Sequence, residues 1–246
     1  DNSNASASDK MQLIKYTYNG TSYSEAIRVT YSTTNRCQAP APVITDFNGD
    51  GIAEIAVYDK VYNAKTMTLL ADGVYQGDLS KGFGEGGHPN DAEATVSSGS
   101  YMVAADVDGD GLPEFIGGNC VYKVTITNPN GLTGNDFTLW SQCDRTDIDG
   151  NPHEEAYDGA TAVADFDNDG FLDIVVTTRA DKNKSNQGNG ALYIWNPRTG
   201  KVMNKNLINS FLPHSTIART ASGPSVPFIG EIDNDGETEI CLSARK

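Results

Sequence analysis

Short apolar runs of four to seven residues, rich in Val, Ile and Phe and bounded by Gly and Asp, follow one another along most of the chain. Apolar and polar positions alternate in several of them, which is typical of half-buried β-strands. No long stretch shows the 3.6-residue period of an amphipathic helix. The pattern therefore predicts an all-β protein.

One segment occurs four times along the chain. Each copy has an apolar run, an acidic loop with Gly at its sixth place, and a second apolar run. The copies read VITDFNGDGIAEIAVYD, VAADVDGDGLPEFIGGN, AVADFDNDGFLDIVVTT and FIGEIDNDGETEICLSA. We call residues 46–54, 106–114, 165–173 and 231–239 the first to fourth acidic loops. Their starts are 60, 59 and 66 residues apart.

Further strand candidates lie between the copies, for example ALYIW before the turn sequence NPRTG. Each repeat thus holds about four short strands, which predicts a β-propeller built of four-stranded blades. The acidic loop is expected to join the first and second strands of each blade. Residues 1–9 are small and polar and predict a flexible leader, and residues 10–246 predict a single propeller domain.

The segments MQLIKYTY and EAIRVTYS flank a turn at Asn19-Gly20 and predict a hairpin near the start of the chain. Only two strands are expected in the fourth copy. In one interpretation the hairpin supplies the outer strands of that last blade, which would remove exposed sheet edges. In the other, the four repeats are part of a larger ring. The sequence leaves both open.

Oxygen-bearing side chains occupy alternate places in each acidic loop, and Gly at the sixth place allows a sharp turn. Calcium takes six to eight oxygen ligands from carboxylates, amide and backbone carbonyls and water. The pattern therefore predicts up to four Ca²⁺ sites, in which the seventh residue contributes its backbone carbonyl. The predicted ligands are Asp46, Asn48, Asp50, Ile52 and Glu54; Asp106, Asp108, Asp110, Leu112 and Glu114; Asp165, Asp167, Asp169, Phe171 and Asp173; and Glu231, Asp233, Asp235, Glu237 and Glu239.

An EF-hand, a set of plain hairpin turns and a magnesium site all fit the loops less well. An EF-hand needs a Glu at the twelfth place and helices on both sides, but that place holds Val57, Gly117, Val176 and Leu242. Hairpin turns alone do not account for an acid at the ninth place of all four copies. Magnesium prefers a tight octahedron with several waters. The fourth loop starts with Glu231, which is one methylene longer than Asp, and so predicts a weaker or displaced site.

Acidic residues outnumber basic ones by 33 to 18, and the formal charge is −15. The four acidic loops contain 16 of these acids, so much of the negative charge is local. Binding to nucleic acid or to anionic membranes depends on Lys and Arg and is not expected. No apolar run approaches the roughly 18 residues of a transmembrane helix. A lipid anchor upstream is compatible with the sequence.

The four cysteines, Cys37, Cys120, Cys143 and Cys241, lack the spacing of a zinc site. Cys120 and Cys143 flank a predicted hairpin, and Cys120 lies opposite Cys143 if Ile126 faces Phe137. This register predicts a cross-strand disulfide and therefore an oxidising, exported location. Free buried thiols are the alternative.

The loops resemble those of the FG-GAP/VCBS repeat family, the calcium-loop blades of integrin α-subunit propellers and of many bacterial exported proteins. The resemblance rests on the motif DxDxDGxxD/E, recurring about every 60 residues between residues 40 and 246. It implies a β-propeller with calcium between the first and second strands of each blade. It also implies an extracellular or cell-surface protein of adhesion, recognition or carbohydrate handling. Rhamnogalacturonan lyases are a similar branch that uses a larger propeller as an enzyme.

In such a propeller the connections between blades lie on the face opposite the calcium loops, where family ligands tend to bind. These connections are predicted at about 35–41, 82–99, 144–160 and 211–224. They hold the polar residues His88, Glu93, His153, Glu154, Glu155, Asp158, His214 and Arg219. A converging His and carboxylate cluster could do acid–base chemistry, although polar loops commonly contain these residue types.

No nucleophile elbow, zinc signature or phosphate-binding loop supports a catalytic function. Trp140 and Trp195 lie in strand-like runs and are expected to be packing residues rather than sugar platforms. The sequence thus favours a non-catalytic, calcium-binding module that recognises a protein or glycan. The alternatives are the propeller portion of a carbohydrate-active enzyme, resembling rhamnogalacturonan lyases, and a purely structural spacer.

Overall fold

The computed structural model describes residues 9–33, 41–73, 101–153, 156, 159–180, 189–203 and 226–242. Within these ranges the regular secondary structure consists of sixteen β-strands, and every pair of adjacent strands is antiparallel. The all-β prediction is confirmed. No helix in the described part of the chain is long and apolar enough to cross a membrane.

The strands form three four-stranded sheets and two hairpins. The N-terminal hairpin consists of β1 (Asp9–Tyr18) and β2 (Tyr23–Thr33). The first sheet contains β3 (Val43–Thr45), β4 (Glu54–Val57), β5 (Lys60–Asn63) and β6 (Leu69–Asp72). The second contains β7 (Val103–Ala105), β8 (Glu114–Gly117), β9 (Cys120–Thr125) and β10 (Asp136–Gln142). The third contains β11 (Ala160–Ala164), β12 (Asp173–Ala180), β13 (Asn189–Asn196) and β14 (Lys201–Val202). The last hairpin pairs β15 (Phe228–Gly230) with β16 (Glu239–Cys241).

Each four-stranded sheet is a simple meander, so its first strand lies at one edge. These first strands approach one another in sequence order: β3 contacts β7, β7 contacts β11, and β11 contacts β15. The acidic loops follow these same strands. The four loops therefore leave neighbouring strands on one side of the molecule.

Two apolar cores separate the three sheets. The first core lies between the first and second sheets and includes Phe47, Leu70 and Phe115. The second lies between the second and third sheets, where Trp195 is fully buried and donates a hydrogen bond from Nε1 to the Gly118 carbonyl, 3.1 Å away. Trp140 packs against the same core while partly buried. Both tryptophans are packing residues, as predicted.

The N-terminal hairpin forms as predicted, with Gly20 at a φ of 94° in its turn. Its proposed role in the last blade is wrong, because in the described residues β1 and β2 pair with each other and not with β15 or β16. Met11, Leu13 and Val29 cover Val57 and Tyr62 on the first sheet instead. Adjacent residues of β4 and β5 face the first core, so the hairpin covers the opposite face of that sheet.

The predicted disulfide between Cys120 and Cys143 is also wrong, because both residues are buried thiols. Phe137 pairs with Val124 rather than with Ile126, and after a register shift between Leu139 and Ser141 it is Gln142 that lies opposite Cys120. Cys120 packs in the first core and Cys143 in the second. Cys241 is an exposed thiol. Cys37 lies outside the described residues.

Candidate metal sites in the acidic loops

The pairing of the strands fixes where each acidic loop begins and ends. In every copy the acid at the ninth place is the first residue of the second strand, and it pairs with the last residue of the first strand. The pairs are Thr45 with Glu54, Ala105 with Glu114, Ala164 with Asp173, and Gly230 with Glu239. The carboxylate at the ninth place is thus positioned by sheet pairing rather than by the loop itself.

A hydrogen bond across the loop holds this carboxylate in place in all four copies. One of its oxygens accepts from the backbone N–H of the residue at the second place. The nitrogen–oxygen distances are 2.9 Å in the first loop, 3.0 Å in the second, 3.1 Å in the third and 2.6 Å in the fourth. In the first three loops the acid is also buried, with Glu54, Glu114 and Asp173 at most 2% exposed.

The acids at the first and fifth places are fixed by backbone amides of the loop. The N–H of the sixth-place glycine donates to the first-place carboxylate at 2.8, 2.9, 2.9 and 2.7 Å in the four loops. The N–H at the seventh place donates to the fifth-place Asp at 2.7, 2.9, 2.9 and 2.8 Å. The backbone of the loop therefore orients two of its own carboxylates.

Two places in each loop have left-handed backbone conformations, with φ between 58° and 91°. The sixth place is Gly in every loop, as the sequence predicted. The fourth place was missed, although it holds Gly49, Gly109, Asn168 and Asn234. Gly and Asn are the residues that adopt this conformation at least cost. The presence of only Gly or Asn at the fourth place was therefore the sequence signal that could have predicted it.

Carboxylate oxygens converge in three of the four loops. Potential ligand atoms lie within 4.8 Å of one another in the second, third and fourth loops. The converging residues are Asp106, Asp108 and Glu114; Asp165, Asp167 and Asp173; and Glu231, Asp233, Asp235 and Glu239. In the first loop Asp46, Asp50 and Glu54 do not form such a group, and the Asn48 amide donates to Asp50 at 3.2 Å.

In the first three loops the ninth-place acids are electrostatically unfavourable as anions. Burial raises the pKa of Glu114 to about 7, with contributions from the neighbouring Asp108 and Asp110. Burial raises the pKa of Asp173 to about 6, with contributions from three aspartates of its loop. The pKa of Glu54 is raised by the same two causes. A cation placed among these groups would reverse both effects.

The available donors fit a hard divalent cation such as calcium. Each converging group offers carboxylate oxygens and neither His nor Cys, whereas zinc sites favour nitrogen and sulfur. Three or four carboxylates leave room in the coordination shell for a backbone carbonyl and water. The second, third and fourth loops have this convergent arrangement, and the first loop offers the same kinds of donor more widely spaced.

The FG-GAP repeat model of protein families matches residues 158–195, which include the third acidic loop. The chain carries an FG-GAP repeat. The resemblance inferred from sequence is thus confirmed over this stretch. The other three loops share with the FG-GAP repeat the ninth-place carboxylate bond, the sixth-place glycine bond and both left-handed places.

Among solved structures, the chain is similar to the crystal structure of the V. cholerae biofilm matrix protein Bap1. The TM-score is 0.44 and the sequence identity 19%, over 76% of this chain and 23% of Bap1. The chain therefore spans about a quarter of the length of that protein. No curated protein matches the sequence.

The predicted binding face is described only at residue 41 and in parts of 144–160. There His153 is 7% exposed, and its Nε2 lies 3.3 Å from Asp147 Oδ2. Asp147 also accepts from the backbone amides of Asp149 and Asn151, and the Asn151 side chain holds its pKa down at about 2. His153 thus stabilises a turn. The other candidates, His88, Glu93, Glu154, Glu155, Asp158, His214 and Arg219, lie outside the described residues.

Proposed function

We propose that this chain is a calcium-stabilised β-propeller module outside the cell that recognises a protein or glycan without catalysing a reaction. The observation that carries the proposal is the convergence of carboxylate oxygens within 4.8 Å in three loops that share one hydrogen-bond scaffold. One of these loops lies within the FG-GAP repeat. Resemblance to that family is the support for calcium, for export and for a recognition function.

The packing of the sheets supports the propeller. Sequential four-stranded meanders stack face to face through two apolar cores, and their first strands contact one another in chain order. Blades around a central axis have this relation to their neighbours. The N-terminal hairpin stacks on the first sheet in the same manner. In a propeller with the acidic loops on one side, the connections predicted at about 35–41, 82–99, 144–160 and 211–224 would belong to the other side.

Calcium would act here as a structural ion. Each bound ion would neutralise carboxylates that are buried or crowded in the metal-free loop, and its binding free energy would add to the stability of the fold. At a free calcium concentration about 100-fold above Kd, each site would contribute about 2.7 kcal/mol. We assign the first loop and the fourth loop, which begins with Glu231, as the sites of lower affinity.

The partner is inferred to be a protein or a glycan and not a nucleic acid, because the formal charge is −15. Export is supported by the family resemblance alone, since Cys120 and Cys143 are thiols. Catalysis of the polysaccharide lyase type gains no support from the described residues, because His153 is buried in a bond to Asp147.

Calcium binding is tested by elemental analysis of the chain after dialysis against a calcium-containing buffer, combined with thermal melts. We expect two to four calcium ions per chain and a large fall in melting temperature on adding a chelator. A protein without bound calcium and with an unchanged melt would overturn the proposal.

A glycan array and pull-downs test recognition. Turnover of pectic polysaccharides that is lost on mutating His88, His153 and His214 would replace recognition by catalysis.

A further inference from the structure

A lysine side chain reaches into the second acidic loop. The Lys123 ammonium forms ion pairs with Asp108 and with Asp110, whose Oδ2 is 2.9 Å from Nζ. It also lies 3.9 Å from Oε1 of the buried Glu114. Asp108 and Glu114 belong to the converging group of this loop, so the ammonium approaches the position that a metal ion would need.

The register of the sheets explains why a lysine reaches the converging carboxylates in the second acidic loop. Tyr122 pairs with Phe115, which places Lys123 opposite the ninth-place acid Glu114. In the first sheet Asn63 pairs with the ninth-place acid Glu54. In the third sheet Trp195 pairs with Ile174, so Asn196 lies opposite Asp173.

The two asparagines at this register position are engaged in their own turns. The Asn63 side-chain oxygen accepts from the backbone amides of Lys65 and Thr66 at 2.9 and 3.0 Å. The Asn196 oxygen accepts from those of Arg198 and Thr199 at 3.0 and 3.3 Å. Neither carries a positive charge. Among the three four-stranded sheets, the second thus places a cation beside its ninth-place acid.

The third loop has a basic neighbour in a different arrangement. Arg198 pairs with Asp169, and its guanidinium lies over the Phe171 ring at 3.7 Å from the centroid. Asp169 is not a member of the converging group formed by Asp165, Asp167 and Asp173. Arg198 therefore neutralises Asp169, and the converging carboxylates of the third loop can still be neutralised by another cation.

We propose that Lys123 is a built-in counter-cation that competes with calcium for the second acidic loop. The inference rests on the proposed calcium binding. An ammonium and a divalent cation cannot both occupy the same few ångströms without strong repulsion, so calcium must displace Lys123. The second loop consequently binds calcium more weakly than the third and keeps its shape when calcium is withdrawn. Trp140, with its ring centroid 5.7 Å from Nζ, offers the displaced ammonium a cation–π contact.

Replacing Lys123 tests this competition. Lys123→Asn introduces the residue of the equivalent positions, and Lys123→Met keeps the length of the side chain without its charge. Calorimetric titration of the full chain with calcium should show one site at least about tenfold tighter than in wild type, which is about 1.4 kcal/mol. Adding Asp108→Asn to either variant should abolish the gain. Lys65→Met, which removes the same charge at an exposed position, should change affinity less than about twofold.

A second readout separates competition from simple structural support. Without calcium the Lys123 variants should melt lower than wild type, because the second loop loses its cation, and with saturating calcium the difference should vanish or reverse. Variants that fail to fold even in calcium would overturn the proposal. So would calcium titrations that cannot be told from those of Lys65→Met. A wild-type chain that takes up no calcium would overturn the proposed function together with this inference.

Discussion

The second and third acidic loops have the same backbone scaffold and different charge balance. Both bind the ninth-place carboxylate to the second-place amide, at 3.0 and 3.1 Å, and both bury that carboxylate. The second loop holds the Lys123 ammonium among its carboxylates, whereas Arg198 pairs in the third loop with Asp169, which lies outside the converging group of that loop. A shared loop motif thus fixes where oxygens converge, and the neighbouring strand decides which cation neutralises them.

Removing calcium should have the largest effect on stability, and it should affect the second and third acidic loops differently. At about 2.7 kcal/mol per site, loss of three sites lowers the melting temperature by on the order of 20 °C. Hydrogen exchange should then show lost amide protection in residues 165–173 and retained protection in 106–114. Magnesium in place of calcium serves as the control and should restore little protection. Equal loss in both loops would contradict the difference between them.

Substitution of the first-place acid should cost more in the third loop than in the second. Asp165→Asn removes a ligand from a loop that relies on calcium and should lower the free energy of unfolding by about 2–3 kcal/mol at saturating calcium. Asp106→Asn should cost about 1 kcal/mol, because Lys123 still neutralises the rest of its loop. Chemical denaturation measures both values. In excess chelator the two variants should become similar, and a persistent gap would show that calcium is not its cause.

Calcium binding should weaken on acidification, and the second loop should respond first. Burial raises the pKa of Glu114 to about 7 and that of Asp173 to about 6, so each must release its proton before binding the ion. Affinity should therefore fall below about pH 7 in the second loop and below about pH 6 in the third, by up to tenfold per pH unit for one proton. Titrations at pH 5.5 and 7.5 measure this.

The metal-free protein should show the opposite dependence on pH. A raised pKa in the folded state means that the folded chain holds protons that the unfolded chain has released. The contribution of Glu114 to stability is therefore fully present below the ordinary glutamate value of 4.5 and is lost as the pH rises through about 7. Glu114→Gln should flatten this profile in chelator. An unchanged profile in that variant would show that Glu114 is not the titrating group.

The sequence predicts those parts of the site that depend on local spacing. Alternate acids, Gly at the sixth place and short flanking strands are local properties, and the structure has all three. The register in which two strands pair is not a local property, because it depends on contacts between separate segments of the chain. Phe137 pairs with Val124 rather than with Ile126, so Gln142 and not Cys143 lies opposite Cys120, and no local pattern in the sequence marks that register. The approach of Lys123 to Glu114 likewise depends on how β8 pairs with β9.

The smallest predicted effect concerns how neighbouring loops touch. The seventh residue of one loop lies over the fourth place of the preceding loop, so a Cβ at Gly109 would be 2.7 Å from the Phe171 ring. Gly109→Ala and Gly111→Ala both place Ala at a positive φ, at a cost of about 1–2 kcal/mol. A Cβ at Gly111 meets open space. Gly109→Ala should therefore be the more destabilising by roughly 1 kcal/mol, the cost of moving a packed ring.

The same pair of variants should differ in calcium affinity. Because the Arg198 guanidinium lies over the Phe171 ring, Gly109→Ala should lower calcium affinity in the third loop, whereas Gly111→Ala should not. Urea denaturation and calcium titration of the two variants check this, and equal effects would mean that the loops respond independently.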